Sequence, residues 1–347
     1  MITARDRERW LAARRTGITG TDIAAILGLN PRRNALDVYL DKIGQGRLVA
    51  VNEAMWWGTY LEDGMARRYA EVTRLKKWEL LRGAAIAAAF PKKRTAVFGK
   101  GPGAQVLIKH SEYPFLLATC DGLVPVRDRG LELKTAGIFG ADEWGEQGTD
   151  HVPVHYLTQC AHYMAVTEMP SWDLGALIGM GQRISGNLAL YHLQRNRALE
   201  TEIIATAVRF WKNHVLKRQP PQIDGSASWQ AYLSKKYAKG TGVVLKANNR
   251  ITELATQYRS AQVKRQKAEA EETLARNQLA AIVASADKAQ GDFGTVGWVR
   301  PGVKQATDWE ALALSLRPSA AQIARHTRPA QDSAYLRAWW KKDWGEE

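Results

Sequence analysis

The sequence predicts a mixed α/β fold, a central sheet sandwiched by helices, and three observations carry that expectation. Helical spacing of apolar residues fills the chain from Asp6 to Glu71, short apolar runs separated by turns occupy 105–134, and helical spacing returns from Pro153. Strands bracketed by helices on both sides in the chain are the signature of layered α/β architectures.

The elements follow in order. From Asp6 to Leu29 the chain reads as helical, with Trp10 and Leu11 ahead of a break at Arg14-Arg-Thr-Gly17. A second helix starts at Thr21-Asp22 as N-cap, runs through Ile23, Ala24, Ile26 and Leu27, and stops at Asn30-Pro31. Another spans Ala35 to Ile43 and ends at Gly44. The next, Ala54 to Glu71, places Trp57, Leu61, Met65 and Tyr69 at i+4 steps, with Glu62 beside that stripe. Strands are expected at Gln105–Ile108, Phe115–Ala118, Gly122–Val126 and Leu131–Lys134. A helix from Pro153 to Met164 puts Tyr156, Cys160 and Tyr163 on one face with Gln159 beside it; strands follow at Trp172–Met180 and Leu188–Leu193, and a helix from Thr201 to Leu216 closes the core.

Lys217-Arg-Gln-Pro-Pro221 marks the edge of that core, which is assigned to residues 1–225. Residues 226–300 read as a long helical arm, Ile251 to about Asp287, ending in a short strand at Gly294–Val299. The arm is rich in Ala, Glu, Gln, Lys and Arg, and its apolar spacing is not a clean heptad. Residues 301–347 hold one more helix and a basic aromatic tail, Trp339-Trp-Lys-Lys-Asp-Trp344, which either caps the fold or stacks on single-stranded DNA.

Composition narrows the function classes. The 347 residues are 45% hydrophobic and 24% charged, as in an ordinary soluble protein. Lys and Arg outnumber Asp and Glu by 49 to 35, and the net charge of +14 favours a polyanionic partner. Two cysteines, Cys120 and Cys160, cannot make a four-thiolate zinc or iron–sulfur site and mark a reduced, intracellular protein. The longest apolar run, Ala84–Phe90, is too short to cross a bilayer, and the charged N-terminus has no signal-peptide core. A cytoplasmic protein without membrane contact is expected.

Chemistry concentrates between Thr119 and Thr135. Asp121 follows an apolar run and opens a turn; after a second turn come Glu132 and Lys134, two apart. Residues two apart on a strand share a face, so Glu132 and Lys134 point together while Leu131 and Leu133 face away, and a hairpin brings Asp121 to Glu132. Two carboxylates and an ammonium on one sheet face suit metal-assisted phosphodiester hydrolysis. The plainer reading is an exposed hairpin with a charged face.

Four segments in register extend the argument: Arg15-Thr-Gly-Ile-Thr-Gly-Thr21 between two helices, Trp57-Gly-Thr-Tyr-Leu-Glu62 opening a helix, Asp121 with Glu132-Leu-Lys134, and Tyr156-Leu-Thr-Gln159 on a following helix. In order and spacing the chain resembles the YqaJ-like viral recombinases, relatives of phage lambda exonuclease among the PD-(D/E)xK restriction-endonuclease-like nucleases. The resemblance covers roughly residues 5–220.

That resemblance implies a restriction-endonuclease-like core and a Mg²⁺-dependent 5′→3′ exonuclease on linear double-stranded DNA, encoded by a phage or prophage and working in the bacterial cytoplasm. Two Mg²⁺ ions, with Mn²⁺ able to substitute, are expected on Asp121, Glu132, the backbone carbonyl of Leu133 and Glu62. Lys134 would orient or deprotonate the attacking water, or offset developing negative charge. Gln159 would hydrogen-bond that water or a DNA phosphate. Arg15, Thr21 and Thr119 match a pocket for the 5′-phosphate. No arginine lies between Lys134 and Gln159, where the lambda enzyme has a further one, so the pocket is completed from elsewhere or strict 5′-phosphate dependence is absent. The resemblance also implies a ring-shaped homotrimer and a partner single-strand annealing protein that takes the 3′ strand. The alternatives are an endonuclease of the same fold and a non-catalytic DNA-binding recombination scaffold; carboxylates that repel phosphate argue against the scaffold.

Overall fold

The computed structural model describes residues 3–46, 52–91, 93, 95–179, 188–284, 286–298 and 318–326. Two compact units divide the chain, Met1–Gln230 and Ala231–Glu347.

The first unit is the mixed α/β body that the sequence predicts. Helices α1 (Ala4–Arg15), α2 (Gly20–Ile26), α3 (Ala35–Lys42) and α4 (Glu53–Val72) precede three antiparallel strands, β1 (Thr95–Phe98), β2 (Gln105–Lys109) and β3 (Leu117–Ala118). The main sheet then forms from β4 (Gly122–Val124), β5 (Arg129–Ala136), β6 (Ser171–Ile178) and β7 (Ala189–Gln194) in chain order. Its outer pairs are antiparallel and its central pair, β5–β6, is parallel. The parallel step requires a crossover, and α5 (Val154–Thr167) supplies it. Helix α6 (Arg197–Phe210) runs into a π-helical turn, Trp211–Val215, and the division between the units falls within α7 (Ala227–Lys236).

Helix α4 covers one face of the main sheet, where Leu131 and Leu133 of β5 pack with Met65, Ala66 and Tyr69. Each such side chain contributes about 1.5–3 kcal/mol by leaving water. On the neighbouring strands, a Cβ at Gly130 would lie 2.3 Å from the Trp172 ring, so only glycine admits that indole. Helix α5 is buried from Thr158 to Thr167 and packs between the sheet and α2.

Several boundaries differ from the expectation for physical reasons. The cap of α2 is Thr19 rather than Thr21, because Asp22 folds back to accept from the Thr19 N–H at 2.9 Å and its hydroxyl at 2.7 Å. Trp57 was expected in the α4 core stripe, yet it is 44% exposed beside exposed Trp56 and Tyr60. The first turns of α4 overrun the sheet: Gly58 already lies beside Thr135, close to the end of β5. Strand β1 forms within the Gly- and Lys-containing stretch Phe90–Gly103, where Lys93-Arg-Thr gives it no apolar lead-in. The apolar run Ala84–Phe90 becomes a 3₁₀ helix, Gly83–Ala89.

The second unit holds α8 (Asn249–Val283), capped by the Asn248 side chain, which accepts from the Ile251 N–H. Ion pairs Arg265–Glu269, Lys267–Glu271 and Arg276–Glu272 line its surface at i,i+4 spacing. The expected strand at 294–299 is β9 (Gly294–Gly297), paired with β8 (Lys288–Gly291), which the sequence reading left between helix and strand. A short helix α9 (Ala320–His326) lies in the tail. The Trp339–Trp344 segment lies outside the described residues. Among the described residues no helix is long and apolar enough to cross a membrane.

Candidate active site

The β4–β5 hairpin sets the first residues. Gly122 pairs with Leu131, which brings the preceding Asp121 alongside Glu132; Asp121 Oδ2 accepts a hydrogen bond from the Leu133 N–H at 2.8 Å. Alternation along β5 sends Leu131 and Leu133 to the α4 side and leaves Glu132 and Lys134 together on the other face. Glu132 is buried. Its Oε1 accepts from Lys134 Nζ at 2.5 Å and from Gln159 Nε2 at 2.6 Å. Its Oε2 is buried with no hydrogen-bond partner.

Helix α5 contributes the wall opposite. Gln159 also donates to Tyr163 Oη at 3.0 Å, and the Lys134 ammonium lies over the Tyr156 ring, 5.1 Å from its centroid. Gly20 of α2 permits this packing, since a Cβ there would come within 2.8 Å of both Gln159 Cγ and Tyr163 Cε1.

Glu62 enters from α4. Its Oε1 accepts from Arg82 Nη2 at 2.9 Å. The same guanidinium donates through Nη1 to Asp63 Oδ1 at 2.6 Å and through Nε to the Asp121 carbonyl at 3.3 Å.

Burial and crowding of like charge dominate the electrostatics. Burial, reinforced by Asp121, pushes Glu132 up to about 8 and Glu62 up to about 7. Asp121 is raised as well, by burial, against the pull of Lys134 and the Leu133 N–H. Burial works against the Lys134 ammonium, but Glu132 and Asp121 outweigh it and hold its pKa above the ordinary value. Lys134 is therefore charged at neutral pH. The Cys120 and Cys160 thiols are driven up by burial and are packing groups rather than nucleophiles. Buried His162 meets the Leu117 carbonyl through Nε2 at 3.0 Å.

The expected anion pocket is partly rearranged. Arg15 turns to Asp41, with Nε 3.3 Å from Oδ1. Its neighbour Arg14 instead donates through Nη2 to Thr21 Oγ1 at 3.2 Å and Thr19 Oγ1 at 3.3 Å. Arg14 also lies over the Trp10 ring, 4.7 Å from its centroid. Burial and Glu132 raise the Tyr163 phenol, and the Arg14 guanidinium pulls it the other way. Thr119 Oγ1 is buried and unpartnered.

The structure thus joins Asp121, Glu132, Lys134 and Gln159 directly and brings Glu62 to them through Arg82, while Arg15 stands apart. Among the described residues no three acid, histidine or cysteine side chains form a closed metal cage; the carboxylates are engaged by Arg82, Lys134 and the Leu133 N–H. The donor set nevertheless suits a hard divalent cation. Glu132 Oε2 is an orphaned buried oxygen, and Asp121, Glu132 and Glu62 offer the hard oxygen donors such an ion prefers.

Sequence reasoning missed Arg82, Arg14, Asp63 and Tyr163. Arg14 carried a signal: it stands i+4 from Trp10, so both share the inward face of α1. Arg82 carried none, since its partners Glu62 and Asp121 lie 20 and 39 positions away.

Residues 9–170 match the family described as the YqaJ-like viral recombinase domain. The chain is 30% identical over 237 residues to the uncharacterized protein YqaJ of Bacillus subtilis (strain 168), an alignment covering 67% of this chain and 64% of that protein. It therefore spans just under two thirds of that curated relative's length. Among solved structures it is similar to LHK-Exo of Laribacter hongkongensis in complex with dAMP, at 19% identity over 67% of this chain and 98% of that one, TM-score 0.42. It is also similar to a phage related exonuclease from Haemophilus somnus 129PT, at 13% identity over 58% of this chain and 96% of that one, TM-score 0.38. Through residues 9–170 the chain is similar to the YqaJ-like viral recombinase domain.

Proposed function

We propose that the protein is a Mg²⁺-dependent deoxyribonuclease, a 5′→3′ exonuclease on linear double-stranded DNA that prepares 3′ single strands for recombination by annealing. One arrangement carries this reading: Asp121 alongside Glu132, with Lys134 and Gln159 both donating to Glu132 Oε1 while Oε2 stays unpartnered. The recombinase family match supports it.

Asp121, Glu132, the Leu133 carbonyl and Glu62 would hold the Mg²⁺ ions, and Mn²⁺ shares their preference for oxygen ligands. Bound there, the metal supplies Lewis-acid polarisation of the scissile phosphate and eases ionisation of the attacking water. Lys134, kept charged by its acidic neighbours, offsets negative charge building on the phosphorane oxygens. Gln159 fixes Glu132 and, through Tyr163, is itself fixed. Attack of water on phosphorus breaks the P–O3′ bond and leaves a 5′-mononucleotide.

Arg14 with the Thr19 and Thr21 hydroxyls forms the anion-binding end of this site. The net charge of +14 supplies the general attraction to DNA. The working assembly is a homotrimer ring around DNA, and the 3′ strand passes to an annealing protein.

The test is Glu132→Gln, which keeps the size and an acceptor for Lys134 and Gln159 but removes the charge. Loss of Mg²⁺-dependent cleavage with an unchanged circular-dichroism spectrum supports the reading; retained cleavage overturns it.

A further inference from the structure

Glu62 and Asp121 come from different elements, α4 and the start of β4, and carry like charge. A nearby cation eases the crowding of two like charges. Arg82 supplies it, bonding the Glu62 carboxylate and the Asp121 backbone carbonyl, and its placement is built into the backbone. Leu81 bridges Leu123 of β4, with Leu81 N–H to Leu123 O at 2.8 Å and Leu123 N–H to Leu81 O at 2.9 Å. Residue 82 therefore starts beside the strand that follows Asp121. On its other side, Gly83 adopts φ +55°, and a Cβ there would strike the Gly101 carbonyl at 2.1 Å. Both neighbours are thus pinned.

The side chain is 12% exposed and uses all three guanidinium nitrogens: Nη2 on Glu62, Nη1 on Asp63 and Nε on the Asp121 carbonyl. A planar fork fixes direction as well as charge, which an ammonium cannot do. It ties the helix that carries Glu62 to the residue that opens the hairpin.

We infer that Arg82 is a positioning residue for the metal-binding acids: it sets where Glu62 stands relative to Asp121, acting through Glu62 rather than on the substrate. The inference rests on the metal-dependent reading above. Groups that orient metal-binding side chains from behind typically cost 10–100-fold in metal affinity or activity when removed.

The test measures Mn²⁺ binding directly, by loss of the free-ion electron paramagnetic resonance signal, on the full chain and on Arg82→Lys, Arg82→Ala and Asp63→Asn. Arg82→Lys keeps the charge and loses the fork, and serves if Arg82→Ala fails to fold. Mn²⁺ affinity is expected to fall by about 10-fold or more in both Arg82 variants. Asp63→Asn, which spares the Glu62 and Asp121 arms, should lose markedly less. At saturating metal, kcat should recover more than the metal requirement does. Wild-type affinity in Arg82→Lys, or tighter binding in Arg82→Ala, would show Arg82 to be only a competing cation and overturn the positioning role. Absence of Mn²⁺ binding by the unmodified chain would overturn the metal reading and this inference with it.

Discussion

Asp121 accepts the Leu133 N–H at 2.8 Å, so the acid that opens the hairpin is clasped to the strand that carries Glu132 and Lys134. The bond makes the site a property of the hairpin register: a slip by one residue would turn Glu132 into the α4 cluster and break the clasp together. An amide at position 121 can accept the same bond without carrying charge. Asp121→Asn is therefore expected to keep the fold and lose DNA cleavage. Because burial raises the Asp121 carboxyl, the variant should unfold at an equal or higher temperature than the parent, which a thermal melt measures.

The raised acids make stability depend on pH in a defined sense. Glu62 and Glu132 move from an ordinary 4.5 to about 7 and about 8. The folded metal-free protein thus holds more protons than the unfolded chain across that window, and its stability falls as pH rises from 4.5 to about 8. Binding of Mg²⁺ at pH 7 should expel protons from both groups. Calorimetric titration in buffers of different ionisation enthalpy measures that release, which should fade above pH 9.

His162 gives the opposite slope. Burial, only partly offset by the Leu117 carbonyl, lowers it from 6.5 to about 4. The unfolded chain then takes up the proton first, so this residue's contribution is present above pH 6.5 and is lost as pH falls toward 4. His162→Gln should flatten the acid side of a plot of urea midpoint against pH, relative to the parent.

Arg14 and Arg15 are adjacent yet should behave differently. Arg14→Ala removes a donor shared by Thr19 and Thr21, and a lost charged hydrogen bond of about 1.5–3 kcal/mol should raise KM for 5′-phosphorylated duplex roughly 10–100-fold. Arg15→Ala loses a half-exposed pair with Asp41, worth at most about 1 kcal/mol of stability. Steady-state kinetics on 5′-phosphate and 5′-hydroxyl duplexes separates the two.

Gly20→Ala tests the helix contact behind Gln159. The added methyl would press on Gln159 and Tyr163 at 2.8 Å, costing about 1–3 kcal/mol and shifting the Gln159 amide from Glu132. Unfolding midpoint and kcat should fall together.

Much of this was legible in the chain. The order of helices and strands follows from spacing, and Glu132 and Lys134 share a face because strand periodicity is two. The hairpin register, Asp121 against Glu132, follows from turn residues flanking two apolar runs. What the chain conceals is long-range choice. Trp57 satisfies the core stripe of α4, but nothing local says that the helix overruns its sheet. Arg15 sits in the matching motif, but helix phase turns it to Asp41 and gives the threonines to Arg14. Arg82 becomes meaningful only once α4 and β4 meet.

The most direct test of the central claim is digestion of a linear duplex labelled at its 5′ or 3′ end, with Mg²⁺ or EDTA and with or without a 5′-phosphate. The expected result is Mg²⁺-dependent release of mononucleotide starting at the 5′ label, faster on the phosphorylated end, and none from the Asp121→Asn protein. Release that persists in EDTA, or no release from either end by the folded parent protein, would contradict it.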